Sequence, residues 1–312
     1  MTAVEVFAPA KVNLTLHVTG QRADGYHCLD SLVVFADIGD KLTLSPAPAG
    51  GLQITGPYAS AVPAGPDNLV ARALGLLPGA GPLAITLEKR IPVAAGLGGG
   101  SADAAAALRG AAAVSGAPNR PDPLALLSLG ADLPMCLRCN AARVGGIGEQ
   151  VQALEPALPR LPAVLVNPNV GLETPRVFQA LSSKINTPMS VTIPAFSGAV
   201  DCAKWLRQRR NDLEAPATQL LPAIGHVLDA LAGAPGTLLA RMSGSGATCF
   251  GLFADEASAR KASTEIARSH PGWWVAPCLL GDQCQLADPR PANRQSIDVK
   301  DPASTTPSSL SP

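Results

Sequence analysis

Apolar and polar side chains alternate most clearly near the start of the chain. Val12, Leu14, Leu16 and Val18 are apolar, and Asn13, Thr15 and His17 stand between them. A period of two over seven residues predicts a strand with one face on the core and the other toward solvent. Apolar runs at 2–7, 29–36, 41–45, 52–55 and 83–89 read as further strands, and residues 68–77 as a helix. Lys11 falls on the same face as Asn13 and opposite to Val12.

The pattern then changes. Residues 92–101 read Pro-Val-Ala-Ala-Gly-Leu-Gly-Gly-Gly-Ser, and 102–114 are mostly alanine. Alanine is the best helix former and serine a good N-cap, so the segment predicts a glycine loop feeding a helix capped by Ser101. Beyond residue 160, strands are expected at 163–167, 238–242 and 248–253, and helices at 175–181, 222–231 and 256–268. The tight Ser243-Gly244-Ser245-Gly246 turn separates the last two strands. Strands and helices without regular βα alternation predict an α+β protein. We divide it at 1–160 and 161–284. Residues 285–312 hold proline and serine but no aromatic side chain, and are expected to form a disordered tail.

Composition narrows the function. The chain has 312 residues, 24 basic and 24 acidic side chains, 47% hydrophobic and 15% charged residues. That is the profile of a folded protein, without the basic excess of a general nucleic-acid binder. An anionic partner has to be held by a local site, because the whole molecule supplies no net field. Residues 1–9 show no basic segment followed by an apolar one, and no 18-residue apolar run occurs, so neither signal peptide nor membrane span is expected. Seven cysteines at irregular spacing fit reduced thiols in the cytoplasm. Cys136 and Cys139 form one CxxC with no second pair to complete a zinc site, which favours packing over metal binding. His17, His226 and His270 fit no ligand spacing.

Gly96, Gly98, Gly99 and Gly100 leave several backbone N–H groups unshielded just before a helix N-terminus, an arrangement suited to a phosphate; the plainer reading is a packing corner. No Gly-Lys-Ser/Thr follows, so this is not a Walker A loop, and no His-Arg-Asp or Asp-Phe-Gly of a protein kinase occurs. A dinucleotide fingerprint would follow the first strand, whereas several strands precede this loop. By composition alone, Asp132 is a turn residue between Gly130 and Pro134.

The segment Pro92–Ala102 resembles the central loop of the GHMP kinases, the family of galactokinase, homoserine kinase and mevalonate kinase. Further segments resemble one branch of that family in the same order. They are Ala8-Pro9-Ala10-Lys11-Val12-Asn13-Leu14, residues 20–27 ending in Gly25-Tyr26-His27, and Gly130-Ala131-Asp132-Leu133-Pro134. Gly146-Ile147-Gly148-Glu149, Asn211-Asp212-Leu213-Glu214 and Ser243-Gly244-Ser245-Gly246-Ala247 complete the series. The resemblance spans residues 4–280. It implies a two-domain fold, with an N-terminal α+β domain related to a ribosomal small-subunit protein, a ferredoxin-like C-terminal domain, and an active site between them.

The resemblance also implies an activity: transfer of the γ-phosphoryl group of ATP, with Mg²⁺, to the 2-hydroxyl of a cytidine diphosphate-linked methylerythritol in the non-mevalonate route to isoprenoid precursors. A homoserine- or mevalonate-type kinase, or a non-catalytic nucleotide-binding regulator, are the alternatives. Carried onto this chain, Asp132 is the catalytic base and Lys11 its partner. Pro92, Val93, Ala94, Ala95, Gly96, Leu97, Gly98, Gly99, Gly100, Ser101 and Ala102 form the ATP loop, with Ser101 a candidate Mg²⁺ ligand. Tyr26 by stacking, His27 by hydrogen bonding and Phe178 from the opposite side hold the cytosine. Asn13, Thr174, Gly244, Ser245 and Gly246 complete the substrate contacts. Asp103 either faces away from the phosphates or bears on the metal. Met135-Cys136-Leu137-Arg138-Cys139 departs from the bulky residues usual after the family's aspartate, which concerns local packing.

Overall fold

A computed structural model of the chain describes residues 3–77, 79–116, 121–190 and 192–292. Its backbone is one long antiparallel hairpin, β1 (Val4–Gln21) and β2 (His27–Pro46). The separate strands expected at 2–7 and 12–18, and at 29–36 and 41–45, are halves of these two. Register shifts between Pro9 and Lys11, Asn13 and Thr15, and Val18 and Gly20 let the ladder bend and continue. Around the hairpin lie β3 (Gly51–Thr55), α1 (Leu69–Leu74), β4 (Leu83–Glu88), α2 (Gly99–Ser115), α3 (Pro123–Leu129), α4 (Leu133–Arg138), β5 (Ala142–Gly146) and β6 (Gln150–Ala153). The second half supplies β7 (Leu161–Asn167), α5 (Thr174–Gln179), α6 (Ala199–Arg207), α7 (Glu214–Leu220), α8 (Ala223–Gly233), β8 (Leu239–Met242), β9 (Cys249–Leu252), α9 (Glu256–Ser269) and β10 (Trp274–Gly281). The chain then runs through α10 (Cys284–Ala287) into β11 (Arg290–Pro291).

The two halves share one sheet. Its main path runs β11-β1-β2-β10-β7-β9-β8, with β4 and β5 also pairing to β2. The join is short: Leu280 and Gly281 of β10 lie opposite Ala36 and Phe35 of β2. Burying α2 explains its composition. Its alanines pack against β1 and β2, and a Cβ at Gly110 would come within 2.5 Å of Leu44 Cδ1, so the close approach needs small residues.

The alternation in β1 misled in one respect. Asn13, Thr15 and His17 are as buried as the apolar residues between them. The second half of the chain covers this face and bonds one polar group of each residue. The backbone N–H of Asn13 donates to Ser243 Oγ at 3.1 Å, Thr15 Oγ1 reaches Met189 Sδ at 3.0 Å, and His17 Nδ1 lies 3.1 Å from the Thr187 carbonyl. A polar row that looks solvated in sequence is the floor of the junction between the halves.

The expected tail does not begin at residue 285. Gln285 lies in α10, and Arg290 and Pro291 pair with Glu5 and Val4. Residues 293–312 lie outside the described part. Among the described residues no helix is long and apolar enough to cross a membrane, and all seven cysteines are free thiols.

Candidate active site

The glycine loop enters α2 three residues earlier than its serine suggests. Gly98 occupies the cap position with φ 62°, a left-handed conformation that suits glycine, and α2 starts at Gly99. Ser101 therefore sits inside the first turn and is not the N-cap. Pro92 to Gly96 and Gly98 to Ser101 line a cavity of about 1490 Å³, while Leu97 and Ala102 turn into the core. Gly96 is required by contact as well as conformation. Its φ is 73°, and a Cβ there would lie 2.5 Å from the Ser243 carbonyl oxygen and 2.7 Å from that of Gly246. The Ser243–Gly246 turn of the second half is thus seated on the glycine loop of the first. Ser243 Oγ donates to the Gly96 carbonyl at 3.1 Å, and the Thr248 N–H donates to the Ala95 carbonyl at 3.1 Å.

Lys11 and Asp132 meet on the same cavity wall. Lys11 Nζ lies 3.0 Å from Asp132 Oδ2 and donates to Asn13 Oδ1 at 2.9 Å. Asn13 is held in turn, its Nδ2 donating to Ser31 Oγ at 2.7 Å. Asp132 occupies the position before α4, and the Lys11 backbone N–H donates to the Leu97 carbonyl. A Cβ on Gly98 would stand 3.2 Å from Lys11 Cε and 3.5 Å from Asp132 Oδ2, so the pair lies directly against the glycine loop.

The opposite end of the cavity is aromatic. The His27 and Phe178 rings stack with centroids 4.8 Å apart and planes 24° from parallel. Tyr26 is 61% exposed at the rim. The ring against Phe178 is thus His27, where Tyr26 was expected to face Phe178 across the base. Burial, and then the nearby Lys184 ammonium, hold the His27 imidazole below its ordinary range, which favours the neutral ring. Gly244 and Ser245 line the cavity, and Ser245 Oγ bonds Thr174 Oγ1 at 2.7 Å. Gly246 lies behind them, between Gly96 and Met242, and gives no surface to the cavity.

A glycine loop, a lysine–aspartate pair and an aromatic slot in one cavity invite comparison with known kinases. The model of the GHMP kinases N terminal domain matches residues 68–148 and that of the GHMP kinases C terminal region matches 199–272. The 4-diphosphocytidyl-2-C-methyl-D-erythritol kinase of Dinoroseobacter shibae is 57% identical over 276 residues, covering 88% of this chain and 94% of the relative. This chain belongs to the GHMP kinase family, in that branch.

The enzyme of the same name from Roseobacter denitrificans is 54% identical over 92% of this GHMP kinase and 97% of its own length. Among solved structures, a 4-(cytidine 5'-diphospho)-2C-methyl-D-erythritol kinase superposes with a TM-score of 0.73 at 36% identity, covering 89% of this chain and all of that one. A homoserine kinase from Cytophaga hutchinsonii shares the fold, with a TM-score of 0.63 at 20% identity over 93% of this chain and 97% of its own.

Two residues that no motif marks, Asp40 and Lys89, lie against the loop of this GHMP kinase. Lys89 Nζ donates to Asp103 Oδ2 at 2.8 Å and to Asp40 Oδ2, all three side chains being buried. Asp103 Oδ2 is therefore held by Lys89, its buried Oδ1 has no partner among the described residues, and both side chains border the cavity. Burial pushes the Asp103 carboxyl up, against the pull of the Lys89 ammonium. Burial also opposes the charge on Lys89, but Asp103 and Asp40 outweigh it and hold the ammonium above the usual lysine range. Asp40 and Lys89 are 49 positions apart and match no motif; only the pairing of β2 with β4 brings them together. Asn68 and Leu69, at the start of α1, also line the cavity.

Cys136 and Cys139 are packing residues here. Both are buried, Cys139 Sγ donates to the Cys136 carbonyl, and burial pushes both thiols up, Cys139 to about 11. Among the described residues no group of three His, Cys, Asp or Glu side chains is placed to hold a metal ion.

Proposed function

We propose that this chain phosphorylates the 2-hydroxyl of 4-diphosphocytidyl-2-C-methyl-D-erythritol with ATP, in the non-mevalonate route to isoprenoid precursors. The observation that carries this reading is the single cavity holding the Lys11–Asp132 pair between a glycine loop and the His27–Phe178 stack. A kinase for homoserine or mevalonate has no base to hold, and would not need the aromatic end.

Each wall then has a task. The amides of residues 96–100 and the N-terminus of α2 receive the ATP phosphates, where unpaired N–H groups and the helix dipole favour negative charge. At the other end Phe178, His27 and Tyr26 hold the cytosine, and Gly244, Ser245 and Thr174 face the diphosphate. The substrate's 2-hydroxyl then lies by Asp132. Its oxygen attacks the γ-phosphorus, the bond to the ADP oxygen breaks, and Asp132 takes the hydroxyl proton. Phosphoryl transfer through a loose transition state asks for positioning and charge stabilisation more than for a strong base. Lys11 places a positive charge beside Asp132 and the reacting oxygens, and Asn13 fixes the direction of the ammonium.

Mg²⁺ fits this site as a companion of the nucleotide. It usually binds through one or two protein groups and the substrate phosphates. Ser101, in the first turn of α2 and on the cavity wall, would hold it, with the unpartnered Oδ1 of Asp103 two residues on. When bound, the ion neutralises charge on the phosphates. We assign the ATP-binding part to residues 1–160 and the C-terminal part to 161–284, and the seven free thiols support a cytoplasmic reaction.

The test is an assay with ATP, Mg²⁺ and a set of alcohols. Phosphorylation of the cytidine substrate, with little on homoserine or mevalonate, is the expected result. Turnover of either of these, with none of the cytidine compound, overturns the reading.

A further inference from the structure

The segment that carries the glycine loop is tied at both ends to one buried cluster, Asp40, Lys89 and Asp103. Asp40, in β2, is fully buried and gives no surface to the cavity. Its Oδ1 accepts the backbone N–H groups of Arg90 at 2.6 Å and Ile91 at 3.1 Å, the two residues that lead into Pro92. Its Oδ2 accepts Lys89 Nζ, and the same ammonium donates to Asp103 Oδ2 in the first turn of α2. The loop therefore leaves the sheet at one end of this cluster and returns to it at the other. The cluster also lies immediately beneath the phosphate-facing backbone. A Cβ on Gly99 would stand 3.4 Å from Lys89 Nζ and 3.8 Å from Asp40 Oδ2.

Burying an ammonium and two carboxylates is costly, and a well-packed apolar cluster could hold β2, β4 and α2 together at least as firmly. What an apolar cluster lacks is direction. Charge-assisted hydrogen bonds fix where a backbone runs to within a few tenths of an ångström, which matters when that backbone has to match phosphate oxygens. We propose that Asp40 is a positioning residue for ATP: through Lys89, Arg90 and Ile91 it pins both ends of the glycine loop, so that the amides of 96–100 are ordered before the nucleotide arrives. Ordering the loop in advance removes a cost that ATP binding would otherwise bear. The inference rests on the kinase reading above.

Asp40→Asn is the decisive variant. It is nearly isosteric, yet it cannot accept from Lys89 and from the two backbone N–H groups at once, because one of its two atoms is now a donor. The dissociation constant for ATP is expected to rise about tenfold, the worth of one charge-assisted bond. In steady-state assays the KM for ATP rises and the KM for the cytidine substrate stays within about twofold of the wild-type value. A purely structural role would lower the fraction of folded enzyme, and with it kcat, while leaving the KM for ATP unchanged. Lys89→Arg, whose guanidinium can still bridge both carboxylates, is expected to keep ATP affinity near the wild-type value. Calorimetric titration of each folded variant with ATP decides the inference independently of turnover. An Asp40→Asn protein that binds ATP as tightly as the wild type overturns it, as does an equal loss of affinity for both substrates. Wild-type protein that binds ATP but does not phosphorylate the cytidine substrate counts against the kinase reading alone.

Discussion

Lys11 and Asp132 face each other at 3.0 Å across the mouth of the glycine loop, one from the long N-terminal strand and one from the residue before α4. Asn13 grips the same ammonium from the other side. A lysine held by two oxygens in a nearly closed position is set for one geometry. Asp132→Asn keeps the shape but cannot take a proton, so kcat is expected to fall roughly 10²–10⁴-fold, the usual worth of a positioned base. ATP affinity should change little. Near-normal turnover in this variant would mean that the hydroxyl is deprotonated by another group.

Gly96 and Gly100 stand in the same run of glycines but should respond in opposite ways. An alanine at 96 meets two carbonyl oxygens of the Ser243–Gly246 turn at 2.5 and 2.7 Å and is also forced into a positive φ of 73°. Neither obstacle can move without separating the two halves. Gly96→Ala is expected to lower the melting temperature markedly. Gly100 lies within α2, where a Cβ would meet only the tip of Leu69 at 3.2 Å. Gly100→Ala should be neutral or raise stability by up to about 1 kcal/mol, as alanine replaces glycine in a helix. Thermal denaturation of the two variants side by side checks both, and equal losses would show that the loop does not depend on the turn.

The contrast between these glycines also shows what the sequence could and could not convey. A dense glycine cluster before an alanine-rich helix marks the loop, and the order of the motifs marks the family. Nothing in the local pattern says that Gly96 answers to residues almost 150 positions away. Likewise, Asn13, Thr15 and His17 look solvated because alternation reports polarity, not coverage, and the cover comes from residues 187–189 and 243. Ser101 looked like a cap because serine prefers that position; glycine's freedom at 98 moved the helix start ahead of it. Asp40, within β2, and Lys89, just after β4, are ordinary charged residues until those strands pair.

The aromatic end of the cavity makes a separable prediction. Phe178 stacks on His27 and packs against the core of the C-terminal half, so it is a fixed surface. Tyr26, exposed at the rim, is free to close over a base. Base–aromatic stacking is worth about 1–3 kcal/mol, which corresponds to roughly 5- to 150-fold in affinity. Phe178→Ala and Tyr26→Ala are each expected to raise the KM for the cytidine substrate within that range and leave the KM for ATP unchanged. If Tyr26→Ala has no effect while Phe178→Ala does, the base is held without stacking on Tyr26.

Stability should fall in mild acid because of a histidine outside the reaction. His17 is buried beneath the 187–189 segment, its Nδ1 3.1 Å from the Thr187 carbonyl, and no partner is found for its buried Nε2 among the described residues. Burial holds its pKa below the ordinary 6.5; Arg210 adds to that effect, while the Thr187 carbonyl, Asp212 and Asp30 oppose it. The unfolded chain therefore binds a proton at His17 more readily than the folded one. Stability is complete above about pH 6.5 and declines as the pH drops below that value toward the folded pKa. The melting temperature should be flat from pH 7 to 8 and fall between pH 6.5 and 5. His17→Asn places an amide donor near the Nδ1 position and cannot titrate, so it is expected to fold and to show a shallower fall over the same interval. An unaltered slope in that variant would assign the acid sensitivity to other groups, with His27, whose pKa burial also lowers, the next to replace.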